Sequence, residues 1–210
     1  MSDFYIKLRY RGRLRRPADA ETLADEAEDI CRSNGWKCYR WERDWSKPAS
    51  VRLSMGDGAI SVEGHAPLRG ISFSPPDCET VWLTFTPDGV LHSLMSLSDP
   101  SWTSNTGGYP WQRVKTGFDG AHTHLLLCRL FIYLQEKYFA EFDCEDESGY
   151  WQHRDAARLE AFLSGIQSDW AQLTEELAAL DADDSISTEK RRQIFHDLMR
   201  QFGERHKPGN

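Results

Sequence analysis

The chain opens with the alternating stretch FYIKLRY at residues 4–10. Apolar side chains at every second position are typical of a strand with one buried face. A helical pattern follows from Asp19, which we expect to be the N-cap, and the pair Asn34-Gly35 predicts where this helix ends. Residues 36–42 alternate again, so the sequence predicts a strand, a helix and a strand.

The same order of elements recurs in the second half of the chain. A short alternating stretch at 112–116 precedes a helical pattern over about 120–138 and an alternating stretch at 139–145. The helix is rich in leucine and phenylalanine, so we expect it to be buried. We interpret the segments 4–42 and 112–145 as a candidate structural pseudo-repeat.

Between these two units lie short alternating segments with turn residues between them. Glycine and proline dominate the turns, because glycine accepts positive φ and proline fixes the first corner of a turn. The pattern predicts an antiparallel meander, followed by a loop at 98–110. The predicted strands of this meander are 51–54, 59–63, 69–74, 80–85 and 90–95.

From residue 154 the pattern is helical. Apolar residues at steps of three and four predict a long helix with one apolar seam, and a break at 181–187 precedes a last helix that ends at Gly203. Two such helices form a hairpin. We therefore predict an α+β fold in which two strand-helix-strand units flank a β-meander in a mixed or antiparallel sheet. The predicted parts are a core at 1–152, a helical hairpin at 153–205 and a tail at 206–210.

Composition excludes several classes of protein. Of the 210 residues 40% are hydrophobic and 12% aromatic, which is enough apolar area for an ordered core. The formal net charge of -8 argues against a nucleic-acid partner, since phosphate binding depends on clustered lysine and arginine. The five cysteines have no C-x-x-C spacing, which argues against a disulfide framework or a zinc ribbon. Without a signal pattern or a membrane-spanning apolar run, we expect a cytoplasmic protein.

Four short motifs stand out between residues 115 and 155. They read Lys115-Thr116-Gly117-Phe118, Leu127-Cys128-Arg129-Leu130, Asp146-Glu147-Ser148-Gly149-Tyr150-Trp151 and Arg154-Asp155. Together they resemble a family of bacterial proteins of unknown function. The resemblance is confined to this segment and implies no activity, cofactor or substrate.

The same segment carries most of the reactive side chains. Side chains at strand ends can converge on a ligand, so one hypothesis is a small-molecule or catalytic pocket in which Glu147 acts as a base. The structural alternative is that Trp151 anchors the long helix, Asp155 caps it and Arg154 pairs with a carboxylate. The candidate ligand-binding residues are Lys115, His124, Glu147, Tyr150, Trp151, Arg154 and Asp155.

Two groups of side chains have the residue types of metal ligands. His124 and Cys128 lie one helical turn apart, but the sequence supplies no convincing third or fourth ligand, so we interpret them as a helix-surface histidine and a core cysteine. The carboxylates at 141, 143 and 145 share one strand face, which suits either a hard cation or a solvated surface; we favour the surface. We expect no metal and no other cofactor.

A basic run begins within the first predicted strand, and in an extended chain Lys7, Arg9, Arg11 and Arg13 lie on one face. This stripe suits phosphate or an acidic peptide. The acidic positions 25–29 of the next helix are close in sequence, so we expect internal pairing.

The sequence favours a non-enzymatic protein-interaction protein. It is small, acidic and rich in tryptophan and tyrosine, the residue types that dominate binding interfaces. In size, acidity and α+β character it resembles immunity-type proteins that neutralise a toxin. The alternatives are the pocket hypothesis above and a homodimer through the helix at 155–180. We expect no membrane partner.

Overall fold

The computed structural model describes residues 5–56, 59–76, 78–99, 108–116, 121–183 and 185–205. It has the predicted α+β fold, with antiparallel sheets and a C-terminal pair of helices. The chain forms two compact units, Met1–Asp146 and Glu147–Asn210, whereas the sequence placed the division after residue 152. The predicted tail and positions 100–107 of the predicted loop lie outside the described residues.

The first unit contains the sheets. Its described elements, in chain order, are β1 (Ile6–Leu14), α1 (Asp19–Ser33), β2 (Lys37–Glu42), β3 (Arg52–Gly56), β4 (Ala59–Glu63), β5 (Arg69–Ser74), β6 (Val81–Phe85), α2 (Leu94–Ser98), β7 (Gln112–Thr116), α3 (Ala121–Tyr138) and β8 (Phe139–Asp146).

The first sheet has the strand order β7-β1-β8, with β1 antiparallel to both neighbours. Strands β7 and β8 are therefore parallel to each other, and α3 connects them across β1. In the opening unit, by contrast, β1 and β2 belong to different sheets. The two strand-helix-strand units thus differ in how their strands pair.

The second sheet has the order β2-β5-β6, and β3 with β4 forms a separate hairpin between β2 and β5. The strands of the predicted meander are therefore divided between this sheet and the separate hairpin. Its last predicted strand, 90–95, differs from the structure: only Val90 and Leu91 form isolated bridges, and α2 begins at Leu94. The reason is a capping box, in which Ser93 and Ser96 satisfy each other's backbone N–H groups.

Strand β1 is the central strand of the first sheet and contributes buried side chains to the core of the first unit. Its inward side chains Ile6, Leu8, Tyr10 and Leu14 are buried, as the alternation predicted. The Tyr10 hydroxyl accepts a hydrogen bond from Trp82 N at 2.8 Å and donates one to Trp82 O at 3.1 Å, which ties the two sheets together. Burial raises the pKa of Tyr10, so this hydroxyl stays protonated and can donate.

Helix α1 packs on β5 and β2, and α3 packs on β8. The predicted N-cap of α1 was wrong: Ala18 is the N-cap and makes no side-chain bond. Asp19 is the first helical residue, and its carboxylate accepts from Arg16 at 2.7 Å instead of capping the helix. The predicted end is confirmed, because Asn34 is the C-cap and Gly35 has a φ of +68°.

The second unit consists of helices. Its described elements are α4 (Tyr150–His153), α5 (Ala156–Ala182) and α6 (Thr188–Arg205). Helices α5 and α6 pack together, with the rings of Trp170 and Phe202 5.8 Å apart. The dimer through the 155–180 helix stays a prediction. The seam residues Leu159, Leu163, Ile166, Leu173 and Leu180 are already buried in the single chain.

The described helices were compared with the length and apolar character of a membrane span. None of them combines the length and the apolar character that a bilayer span requires.

One histidine of the first unit makes folding stability depend on pH. Burial lowers the pKa of His92 to about 4, against the opposing charge of Asp88. An unfolded histidine titrates near pH 6.5, so between about pH 6.5 and 4 the unfolded state binds a proton that the folded state does not, and stability falls as the pH falls. When the pH is lowered from 7 to 4.5, we expect the free energy of unfolding to fall by about 2–3 kcal/mol more for the wild type than for His92→Gln. Urea unfolding at both pH values measures this difference. Equal losses would contradict this assignment.

Candidate functional site

Two candidate residues of the predicted pocket, Lys115 and His124, lie on opposite faces of the first sheet. Lys115 is on the outer face of β7, where its ammonium lies 4.1 Å from the Tyr5 ring and 3.6 Å from a Glu79 oxygen. Hydrogen bonding to Tyr5 and the charge of Glu79 raise the pKa of Lys115. The next residue, Thr116, faces inward and contacts His124. The structure therefore does not bring Lys115 and His124 together.

The other candidates belong to the second unit. The Arg154 guanidinium stacks on the Trp151 ring at 4.3 Å, and Arg154 itself is left-handed, with a φ of +58°. The Asp155 carboxylate accepts from the N–H groups of the first turn of α5, as the structural alternative predicted. Glu147 lies in the turn before α4, and Tyr150 in α4 is buried. Among these residues the structure shows the stack of Trp151 and Arg154 and a hydrogen bond from Arg154 N to Tyr150 O at 2.7 Å.

The outer face of the first sheet carries a ladder of ion pairs between β1 and β8. Internal pairing of the basic stripe is confirmed, but the partners lie on β8 and not on α1. Each carboxylate of the predicted cation site is thus occupied by a guanidinium. The pairs are Arg9–Glu145 at 2.9 Å, Arg11–Asp143 at 2.8 Å and Arg13–Glu141 at 3.3 Å.

These pairs are exposed and should contribute little to stability. The Asp143 side chain, for example, is 61% exposed, and solvent-exposed ion pairs contribute about 0–1 kcal/mol. We expect Asp143→Asn to lower the free energy of unfolding by less than about 1 kcal/mol. Urea unfolding checks this value, and a loss above about 2 kcal/mol would show that the ladder acts as a cooperative network.

A second open surface lies on the sheet β2-β5-β6. Tyr39, Ser72 and Trp82 pair directly across the three strands, so their side chains share one face. Trp41 lies on the same face, 5.0 Å from the Tyr39 ring and 5.5 Å from the Trp82 ring. We call Tyr39, Trp41 and Trp82 the aromatic face.

Trp41 and Trp82 of the aromatic face are partly buried, whereas Tyr39 is exposed. The Trp41 indole donates to Ser72 Oγ at 3.0 Å and packs against the buried cluster of Val51, Ala66 and Leu68. Helix α1 covers the opposite side of this sheet, where Arg40 pairs with Asp25 of that helix. Tyr39 is 55% exposed. An exposed tyrosine in contact with a partly buried tryptophan is suited to binding a partner.

The aromatic face was not predicted from the sequence. The alternation predicted the strand over 36–42, and two aromatic residues at alternating positions, Tyr39 and Trp41, were a visible signal. The third member, Trp82, is more than 40 positions away and joins the face only through the pairing of β2 with β5 and β5 with β6. Single-sequence patterns do not show such pairing.

A third group of reactive side chains lies inside the first unit, between the inner face of the first sheet and α3. His124 and Cys128 are on successive turns of α3, and Asp146 is the last residue of β8. His124 and Cys128 are at most 1% exposed, and the Asp146 side chain is fully buried. We call His124, Cys128 and Asp146 the inner cluster. His124 is therefore not the helix-surface residue that the sequence suggested.

The inner cluster converges on one nitrogen atom. His124 Nε2 lies 3.2 Å from Asp146 Oδ2 and 3.5 Å from Cys128 Sγ. The other ring nitrogen, Nδ1, lies 3.1 Å from Thr116 Oγ1, at the end of β7. One donor atom from each of the three cluster residues lies within 4.8 Å of the others.

This geometry does not support a nucleophilic triad. In such a triad one histidine nitrogen faces the nucleophile and the other faces the orienting carboxylate. Here the thiol and the carboxylate both face Nε2, and Thr116 faces Nδ1. The arrangement instead resembles a set of ligands around a common centre.

The sequence missed Asp146 as a member of this cluster. The alternation of β8 carried the signal, because Glu141, Asp143 and Glu145 occupy odd positions on the outer face and Asp146 breaks that series. Asp146 pairs with Leu8, an inward residue of β1, and so points into the core. Its meeting with α3 depends on the tertiary fold.

Comparisons with known proteins gave no further assignment. No family model, no curated protein and no solved structure matched the chain. The resemblance of residues 115–155 to a bacterial family therefore stays a prediction.

Proposed function

We propose that this chain is a protein-interaction protein that binds its partner through the aromatic face. The observation that supports this most is the contact of three aromatic side chains on an open side of a sheet, with Tyr39 55% exposed. Tyrosine and tryptophan are enriched among the residues that dominate binding energy. Trp41 and Trp82 are partly buried, and Trp41 also packs against the cluster of Val51, Ala66 and Leu68, so both lose little conformational freedom on binding.

The net charge indicates what kind of partner this surface suits. At -8 the chain attracts proteins of opposite charge and repels nucleic acids and other acidic proteins. We propose a basic protein partner. An immunity-type role, in which the partner is a toxin, is a specific form of this proposal and is consistent with the size and acidity of the chain.

The pocket alternative has lost part of its basis. Lys115 and His124 face opposite sides of the first sheet, and the Asp155 carboxylate caps a helix. We therefore propose an interaction protein in preference to a pocket that contains both Lys115 and His124.

A matched pair of tyrosine variants tests the aromatic face. The full chain is immobilised, the protein that it captures from a lysate of its native cells is purified, and its Kd is measured for the wild type, Tyr39→Ala and Tyr133→Ala. Tyr133 is also exposed, at 43%, but lies on α3. A binding hot spot contributes about 2 kcal/mol or more, so we expect Tyr39→Ala to weaken binding by about 30-fold or more. Tyr133→Ala should leave Kd unchanged.

The opposite results would overturn the proposal. If Tyr39→Ala binds as the wild type does, or if Tyr133→Ala loses as much affinity, the partner uses another surface. Circular dichroism of each variant confirms that the fold is intact, so a loss of binding can be assigned to the missing side chain.

A further inference from the structure

We propose that the inner cluster is a zinc site, with His124 Nε2, Cys128 Sγ and Asp146 Oδ2 as its protein ligands. All three residues belong to the first unit, and they come from two elements that pack on each other, α3 and β8. The site lies at the ends of β7 and β8, which run parallel with α3 between them in sequence.

The two distances from His124 Nε2 to the other ligand atoms fit a tetrahedral zinc ion. Zinc bonds of about 2.0–2.1 Å to nitrogen, 2.3 Å to sulfur and 2.0–2.2 Å to oxygen place tetrahedral neighbours about 3.5 Å apart for nitrogen and sulfur and about 3.4 Å apart for nitrogen and oxygen. The structure has 3.5 Å from His124 Nε2 to Cys128 Sγ and 3.2 Å from His124 Nε2 to Asp146 Oδ2. The third pair, Cys128 Sγ and the Asp146 carboxylate, lies within 4.8 Å, and binding of the ion brings these two ligands to about 3.6 Å from each other.

The donor atoms select zinc over harder cations. Mg²⁺ and Ca²⁺ prefer oxygen ligands, whereas a set with a thiolate, an imidazole and a carboxylate suits a borderline-soft ion. A thiolate and a carboxylate together carry two negative charges, which a divalent ion neutralises inside a buried site. Three protein ligands leave a fourth position, which water occupies in three-ligand zinc sites.

Thr116 orients the histidine as a zinc site requires. Its hydroxyl donates its single proton to Ile6 O at 3.2 Å, so its oxygen is left to accept from His124 Nδ1–H. In the neutral imidazole this leaves the Nε2 lone pair directed at the cluster. A partner that fixes the tautomer through the second ring nitrogen is a regular feature of histidine ligands.

A buried imidazolium paired with the Asp146 carboxylate is the competing arrangement. In that arrangement the imidazole ring carries a second proton, at Nε2, and Cys128 stays a thiol. The two arrangements differ in an observable way, because only the zinc site places a thiolate on a metal ion.

Cobalt titration of the full chain separates them. The protein is treated with a chelator, dialysed and titrated with Co²⁺, which replaces Zn²⁺ in tetrahedral sites and absorbs light. We expect one Co²⁺ per chain, with a thiolate-to-cobalt charge-transfer band in the near ultraviolet that added Zn²⁺ removes. Cys128→Ser should lose this band, and Cys31→Ser, which changes a buried cysteine of α1, should keep it.

A variant outside the ligand set tests the role of Thr116. Thr116→Val keeps the side-chain shape and all three ligands but removes the partner of Nδ1. We expect zinc affinity to fall by about 10–100-fold while the charge-transfer band stays, because loss of such a partner weakens metal binding by that factor. This test also serves if Cys128→Ser does not fold.

Two outcomes would overturn the zinc site. One is a wild-type chain that gives no charge-transfer band with excess Co²⁺, and the other is a Cys128→Ser variant with the same band as the wild type.

Discussion

Asp146→Ala is expected to lower the free energy of unfolding by about 3–5 kcal/mol, even with a chelator present. The Asp146 side chain is fully buried, and its carboxylate lies 3.2 Å from His124 Nε2. When one partner of a buried polar pair is removed, the other loses its hydrogen bond and cannot replace it with a hydrogen bond to water. The cost should therefore be much larger than for an exposed carboxylate.

The preceding residue provides the control for this variant. Glu145 lies on the same strand but faces outward, is 56% exposed and pairs with Arg9 at 2.9 Å. Glu145→Ala should cost less than about 1 kcal/mol. Urea unfolding of both variants in the presence of a chelator measures the difference, and equal losses would mean that the two carboxylates do not face opposite sides of the sheet.

Gly70→Ala is the second variant with a large expected effect, a loss of about 3–5 kcal/mol. Gly70 has a φ of +129°, a conformation that residues with a side chain rarely adopt. A Cβ at this position would also press against the backbone carbonyl of Leu83 on β6. Because that carbonyl belongs to a paired strand, it cannot move without disturbing the sheet that carries the aromatic face.

A second glycine separates the two causes of this loss. Gly35 also has a positive φ, +68°, but a Cβ there would meet nothing within 4 Å. Gly35→Ala should therefore show the backbone cost alone, about 1 kcal/mol. Thermal unfolding of both variants is the measurement. If Gly70→Ala is no more destabilising than Gly35→Ala, the close approach of β5 and β6 is not as described.

Local patterns predicted the elements of the second half closely. The strand at 112–116 coincides with β7, and the helix and strand that follow differ from α3 and β8 by one residue at an end. Alternation and helical spacing are properties of neighbouring residues, so a sequence displays them directly. The C-terminal helices were found for the same reason. In contrast, the strand predicted at 90–95 was wrong, because Ser93 and Ser96 form a capping box and helix α2 begins at Leu94.

Pairing between distant strands could not be predicted in this way. The sequence suggested α1 as the partner of the basic stripe, and the partner is β8, which lies more than 120 positions from β1. The same pairing sets Asp146 opposite Leu8 and brings it to His124. The inner cluster thus depends on a register that only the folded chain contains.

The zinc site is tested most directly by native mass spectrometry of the zinc-loaded wild type and of Cys128→Ser, each transferred to volatile buffer. The predicted result is a wild-type mass with one zinc ion per chain and a Cys128→Ser mass with none. A wild type without zinc, or the same zinc content in both proteins, would contradict the site.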